Sequence, residues 1–195
     1  MFDYGKYSDT RLMELLRDEK PFCNRAFSEI YRRYGSKLNA YCRTRLCSAS
    51  AADDIFQNTW IKFNNAVKHG TEIRNLQAFL ITIARNLCND KFKEQKQISE
   101  MFIDIDNNAS EEWSYSYNPE STFEDEELLN IITIGLNSLE DIYKDAFILN
   151  KIIGLSYQEI GDMQGETSEC IKKRITRALI MIKKVLKPYI DELSQ

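Results

Sequence analysis

The chain has a single histidine, His69, in 195 residues. A catalytic triad or a histidine-bearing metal site would have to be assembled without a second imidazole. The five cysteines, Cys23, Cys42, Cys47, Cys88 and Cys170, are odd in number and contain no C-x-x-C pair. They fall in segments with helical periodicity, as reduced core cysteines do, and imply a cytosolic protein. The sequence holds no zinc-ligand spacing, no phosphate-cradling glycine loop and no nucleophile elbow. Its start, Met-Phe-Asp-Tyr-Gly-Lys, lacks the apolar stretch of a signal peptide, and no run approaches the ~20 apolar residues of a membrane span. No stretch alternates apolar and polar residues as a half-buried strand does. These absences argue against an enzyme, a cofactor or metal protein and a membrane protein. They leave a soluble, cytoplasmic, all-α chain with no small-molecule substrate.

The net charge of -4 and pI near 5.2 look wrong for a nucleic-acid binder until charge is placed along the chain. Residues 1–100 carry 17 Lys and Arg against 12 Asp and Glu; residues 101–149 carry 1 against 12; residues 150–195 carry 8 against 6. Two mildly basic blocks flank an acidic middle.

Helical periodicity runs from Asp9 to about Lys96. A short first helix, capped by Asp9, carries Leu12, Leu15 and Leu16. A longer one carries Phe27, Ile30, Tyr31, Tyr34, Leu38, Tyr41 and Leu46 on one stripe. The third, Ala51 to Val67, turns Ile55, Phe56, Thr59 and Phe63 inward and Asp53, Asp54, Gln57, Asn58, Ile61 and Lys62 outward. A loop from Lys68 to Asn75 leads to a fourth helix, Leu76 to about Lys93, apolar at Phe79, Leu80, Ile83, Ala84 and Leu87. The period fails between Gln97 and Ser121, where Asp, Asn, Ser and Glu gather around Pro119, the composition of a linker. It resumes at Phe123 with Leu128, Ile131, Ile132 and Leu136, and again after a cap at Ser138 with Ile142, Ala146, Phe147 and Ile153. The expected organisation is a four-helix domain over 1–96, an acidic linker over 97–121 and a second four-helix domain over 122–195.

The last domain contains the most specific local pattern. Ser156 and Glu159 have the spacing of a capping box, and Gly165 suits the left-handed position that ends a helix. A second helix follows a tight turn at Gln164 to Glu166. Ile171, Ile175, Ala178 and Ile182 form its apolar face, and Lys172, Lys173, Thr176 and Arg177 lie elsewhere on the cylinder. Such a helix-turn-helix, with a basic, hydroxyl-bearing face on its second helix, suits a major groove. An ordinary amphipathic helix pair with a solvated basic face is the competing reading of this segment alone.

Three stretches together resemble the extracytoplasmic-function (ECF) sigma factors, small bacterial initiation factors that keep regions 2 and 4 of the sigma family. They are Ala-Asp-Asp-Ile-Phe-Gln at 52–57, Phe-Leu-Ile-Thr-Ile-Ala-Arg-Asn at 79–86, and the segment from Leu155 to Leu186. The chain departs from the family at Leu139-Glu140, where Leu-Pro is frequent, at Gly161 for Ala, at Asn64 for an aromatic and at Phe79 for Trp. These departures look like packing variants.

The resemblance implies a set of roles. Asp53, Asp54, Gln57, Asn58 and Ile61 match the surface that docks on bacterial core RNA polymerase; a plain solvated helix face is the alternative. Asn86 and Asp90 match a pocket for a flipped base of the melted non-template strand at the minus-ten element, unless Asn86 is a buried structural amide. Arg85, Lys91 and Lys93 would meet phosphates, and Lys68 to Asn75, with Lys68 and Arg74, would cover the pocket. Lys172, Lys173, Thr176 and Arg177 match positions facing the minus-thirty-five duplex, with Arg174 at the side holding phosphate and Ser168 capping the helix. The acidic segment from Asp104 to Glu127, with Trp113, Tyr115 and Tyr117, is either a solubilising tether or an RNA mimic in the transcript's exit path. An anti-sigma factor is an implied partner. Two other functions stay open at this point: a helix-turn-helix regulator that acts on duplex DNA without being a polymerase subunit, and a protein that occupies polymerase without starting transcripts.

Overall fold

The computed structural model describes residues 3–18, 22–46, 48–101 and 133–193; the linker aromatics and Phe123, Leu128, Ile131 and Ile132 lie outside the described residues. The chain forms two compact units, one of Met1–Leu46 with Ser50–Ala109 and the other of Cys47–Ala49 with Ser110–Gln195. Every regular element among the described residues is helical.

The first unit begins with a single 3-10 turn, Tyr4–Lys6, closed by the Asp3 carboxylate on the Gly5 amide at 3.1 Å. Helix α1, Asp9–Leu15, is capped by Ser8, whose hydroxyl accepts from the Arg11 amide at 3.3 Å. The cap thus falls one residue before the expected Asp9. The Asp9 carboxylate is spent elsewhere, accepting from Arg33 at 2.9 Å and from the Tyr34 hydroxyl. Arg33, on α2 (Phe22–Arg45), also donates to Glu29 and to the carbonyls of Tyr4, Gly5 and Tyr7, so one guanidinium ties the start of the chain to α2. At the other end of α1, Arg17 donates to the Val67 carbonyl at the end of α3, Ala49–Lys68.

Leu12, Ile30, Leu38, Tyr41, Phe63 and Leu80 are among the fully buried side chains of this unit. Tyr31, expected on the buried stripe, is 45% exposed. It belongs to an aromatic cluster at the rim, where its ring lies 5.1 Å from Trp60 and 5.9 Å from Phe56. Helix α4 spans Leu76–Met101, past the expected end near Lys93 and into the residues assigned to the linker. It is started by Asn75, whose side chain accepts from the Ala78 amide at 3.0 Å.

In the second unit, residues 133–137 are helical (α5), followed by α6 (Asp141–Phe147), a π-helical turn (Ile148–Ile152), α7 (Tyr157–Gln164) and α8 (Ser168–Leu193). Ser138 does not cap α6. Its hydroxyl donates back to the Gly135 carbonyl at 2.8 Å, and Glu140 takes the N-cap position without a side-chain bond. Ile142, expected inside, is 46% exposed. The core includes the fully buried Ile148, Leu149, Ile160 and Ile171, and a cluster of Leu136, Leu139 and Ala178 with Tyr143, Phe147 and Ile182 packed against it. Gly135 lets α5 approach α8, since a Cβ there would stand 3.3 Å from the Ile182 side chain.

Candidate functional surfaces

The outward face of α3 is present as expected. Asp54, Gln57, Asn58 and Ile61 are all exposed at i, i+3, i+4 and i+7, one continuous stripe, and Ile61 is 57% exposed. Asp53 is also on the surface but pairs with Arg43 of α2 at 2.7 Å, so it serves the α2–α3 packing as well. An acid, two amides and an isoleucine make a poor phosphate surface and a suitable protein-docking one.

Helix α4 is rotated from the expected phase. Its buried face is Leu76, Leu80, Ile81, Ala84 and Cys88; Phe79, Ile83 and Leu87 are only half-buried. The consequence is a second stripe. Phe79, Ile83, Asn86 and Asp90 follow at i, i+4, i+7 and i+11 and lie within about 60° on the cylinder, with Asn86 and Asp90 exposed. The exposure of Asn86 removes the reading of it as a buried amide. An aromatic ring and an aliphatic side chain beside an amide and a carboxylate can offer a stacking platform next to hydrogen-bonding groups.

Two cations of this helix are tied to local acids: Lys91 to Glu94 at 2.9 Å, and Lys93 to Asp90 at 3.9 Å. In the loop, Arg74 pairs with Glu72 at 3.3 Å, and Lys68 is exposed at the end of α3. Such surface pairs are weak, and a phosphate can take the place of the carboxylate. Arg85 is half-buried.

The helix-turn-helix forms with its local signals intact. Ser156 and Glu159 make both bonds of the capping box, and Gly165 is left-handed at φ 69°. Residues 165–167 connect the helices, and Thr167, not Ser168, caps α8 by accepting from the Cys170 amide at 3.2 Å. Lys172, Lys173, Thr176 and Arg177 are exposed. Thr176 donates its hydroxyl to the Lys172 carbonyl at 2.9 Å, and Arg177 Nη1 lies 3.5 Å from the Tyr143 hydroxyl of α6. The face continues through Ile180, 63% exposed, and the exposed Lys183 and Lys184, which the sequence reading left out.

Arg174 departs from its expected role. Its side chain is 15% exposed, donates to Gln164 Oε1 at 2.9 Å and pairs with Glu166. That pairing holds the Glu166 carboxyl below its ordinary range, with the Cys170 thiol assisting. This fits a clamp on the turn better than a phosphate contact. Gln164 Nε2 in turn donates to the buried Asp145 of α6 at 3.1 Å. Sequence reasoning gives no role to the side chains of Asp145 and Gln164, because Asp145 lies on no exposed face and Gln164 reads only as part of the turn. Gly161 is no neutral variant: a Cβ there would meet the Glu166 carbonyl oxygen at 2.6 Å, so α7 approaches the turn more closely than alanine permits.

Residues 30–98 match the Sigma-70 region 2 family, which defines the first unit as a domain of the sigma-70 class. The chain is 28% identical over 156 residues to the ferric citrate uptake sigma factor FecI of Escherichia coli (strain K12), spanning 78% of this chain and 86% of that protein. It is 27% identical over 169 residues to the ECF RNA polymerase sigma factor SigW of Bacillus subtilis (strain 168), spanning 83% and 89%. In fold it is similar to RpoE of Bartonella quintana, solved in complex with the anti-sigma factor NepR, at a TM-score of 0.70 and 22% identity over 83% of this chain and 96% of that one. CnrH, solved with the cytosolic domain of CnrY, gives a TM-score of 0.65 at 20% identity over 92% and 97%. Residues 30–98 thus carry a Sigma-70 region 2 domain, and the chain is similar along most of its length to ECF sigma factors.

Proposed function

We infer that the chain is an alternative sigma factor that binds bacterial core RNA polymerase, directs it to specific promoters and helps open the DNA. The observation that carries this reading is the pairing of a region 2 domain with a separate helix-turn-helix unit in one chain, along most of the length of its ECF relatives. A duplex-binding regulator is not favoured: residues 30–98, where a sensing domain would lie, match region 2 instead. The proposed limits are region 2 over 1–96, an acidic linker over 97–121 and region 4 over 122–195.

The α3 stripe of Asp54, Gln57, Asn58 and Ile61, with Asp53 at its edge, docks on polymerase. On α4, Asn86 and Asp90 read the edge of an unpaired minus-ten base while Phe79 and Ile83 pack against its face, which stabilises the melted state. Lys68, Arg74, Arg85, Lys91 and Lys93 neutralise the strand's phosphates. On α8, Lys172, Lys173 and Arg177 reach base edges of the minus-thirty-five duplex. Thr176, its proton committed to the helix backbone, offers its methyl to thymine. Ser168 stands in the first turn of α8, where helix amides favour a phosphate. The factor performs no chemistry of its own and acts in the cytoplasm beside polymerase, and an anti-sigma factor is a partner of the kind that RpoE binds.

In vitro transcription with sigma-free core polymerase on a genomic fragment library, with RNA 5′ ends sequenced, tests this. Starts that depend on the protein and share two upstream motifs are expected. Intact polymerase binding without starts would favour an occupying decoy, and binding to duplex DNA alone would restore the regulator.

A further inference from the structure

Four polar side chains at the α6, α7 and α8 junction form a relay: Asp145, Gln164, Arg174 and Glu166. Asp145 is 3% exposed, and a carboxylate so buried must be satisfied by donors. Gln164 is suited to the middle position because an amide both donates and accepts. Its nitrogen gives to Asp145 at 3.1 Å, and its oxygen takes from Arg174 at 2.9 Å. The orientation of the amide follows from its neighbours, since a guanidinium only donates and a carboxylate only accepts. Arg174 then closes on Glu166 in the turn itself. One chain of bonds thereby joins α6, the end of α7, the turn and α8.

The apolar core cannot supply the same information. Ile171, Ile175 and Ala178 are buried and hold α8 in place, but apolar attraction is non-directional and tolerates rotation of a helix on its bed. Hydrogen bonds with fixed geometry do not. Arg174 sits between Lys172 and Lys173 on one side and Thr176 and Arg177 on the other, so the bond that fixes Arg174 fixes the rotation of that whole face. Readout of base edges needs a constellation held within about 0.5 Å and 10–20°.

We propose that Gln164 and Arg174 are positioning residues for minus-thirty-five recognition, aiming the α8 face through the Asp145–Gln164–Arg174–Glu166 relay rather than touching DNA. This rests on the reading of α8 as the promoter-recognition helix.

The test uses holoenzyme reconstituted from the full chain and core polymerase, assayed for closed-complex formation on promoters randomised at the minus-thirty-five element, across a salt series. The variants are Gln164→Met, which keeps length and removes both bonds, and Arg174→Met with Glu166→Gln, which removes the pair without leaving a bare carboxylate. Both are expected to flatten the minus-thirty-five sequence profile by on the order of tenfold, with minus-ten preferences and the salt slope unchanged. A phosphate contact behaves oppositely: the profile keeps its shape, and the slope of log K against log salt becomes shallower by about 0.9. That result, or an unchanged profile, overturns the proposal. Should Gln164→Met fail to fold, Gln164→Glu is compared with Gln164→Glu/Asp145→Asn. The single variant sets two carboxylates face to face, and the double variant restores a donor and is expected to recover the profile; no recovery sinks the relay. A wild-type holoenzyme with no minus-thirty-five preference would remove the α8 reading itself, and the relay with it, whereas a selective wild type with equally selective variants removes the relay alone.

Discussion

Helices α4 and α8 are both 26 residues long and both present a face proposed to read DNA, but the faces differ in kind. That of α4 is an aromatic, an aliphatic, an amide and an acid in one stripe; that of α8 is basic and hydroxyl-bearing, with its apolar residues underneath. A base out of its stack exposes a π-face and a Watson–Crick edge, which call for packing and amide groups. A base still paired exposes only its groove edge behind two rows of phosphate, which calls for long cations. On the proposed reading, the same element suits melted or duplex DNA according to what surrounds its exposed stripe.

The largest effect expected from this contrast comes from stripping the α4 stripe. Phe79→Ala with Asn86→Ala should lower transcription from duplex promoters by about 10- to 100-fold, from the loss of one stacking and one edge contact. On a template mismatched across the minus-ten region the defect should shrink, because the duplex is already open, whereas Arg177→Ala on α8 should be equally defective on both templates. A Phe79/Asn86 defect of the same size on the premelted template would end the assignment of α4 to strand opening.

The next largest concerns how each face is held. Gly161→Ala drives a methyl against the Glu166 carbonyl at 2.6 Å, and overpacking of this sort costs about 1–3 kcal/mol. The loss should appear in the unfolding transition of the second unit and leave that of the first unmoved, as two-transition calorimetry would show. A wild-type transition for the second unit would mean that the turn yields freely.

The two faces also differed in how far they could be read from sequence. In α8 the apolar positions Ile171, Ile175 and Ala178 fit one narrow stripe, so the phase was unambiguous and the exposed residues followed. The capping box and Gly165 fixed the start and end of α7 by chemistry local to a few residues. In α4 there are more apolar residues than one buried face can hold: Leu76, Phe79, Leu80, Ile81, Ile83, Ala84, Leu87 and Cys88. Periodicity could not say which row faced the core, and the row left half-exposed is the one proposed to meet the melted strand. Long-range polar bonds were illegible altogether. Arg33 reaches back more than twenty residues to Asp9, and Gln164 reaches back nineteen to Asp145, with no pattern to announce either. The sequence assigns the capping roles of Ser8 and Thr167 to their neighbours Asp9 and Ser168 for a simpler reason, since adjacent capping residues differ by one register and only the geometry decides.

Acid should separate the units. Bonds from Arg32 and then Arg33 lower the Glu29 carboxyl from 4.5 to about 2. A depressed folded-state value means stability that is present above the ordinary glutamate range and is lost as pH falls from about 4.5 towards 2. The first unit should therefore lose stability through that window, and Glu29→Gln should be less stable at neutral pH and lack that component of the acid dependence. An identical acid profile for Glu29→Gln and wild type, followed by circular dichroism, would show that the carboxylate contributes nothing differential.

The smallest effect belongs to the phosphate contacts, and it sharpens the comparison most directly. Lys93 on α4 and Lys183 on α8 are both exposed cations past the end of a reading stripe. Replacing either by Gln should weaken promoter binding a few-fold for all sequences alike, with no change in base preference. The slopes should differ, because a single strand carries fewer condensed counterions per charge than a duplex: about 0.7 of a unit is lost for a contact to a melted strand and about 0.9 for one to duplex. The Lys93 effect should also be absent from closed complexes and emerge on opening, while that of Lys183 is present from the first encounter. Equal effects of both substitutions in closed complexes would place α4 on duplex DNA and erase the distinction between the two helices.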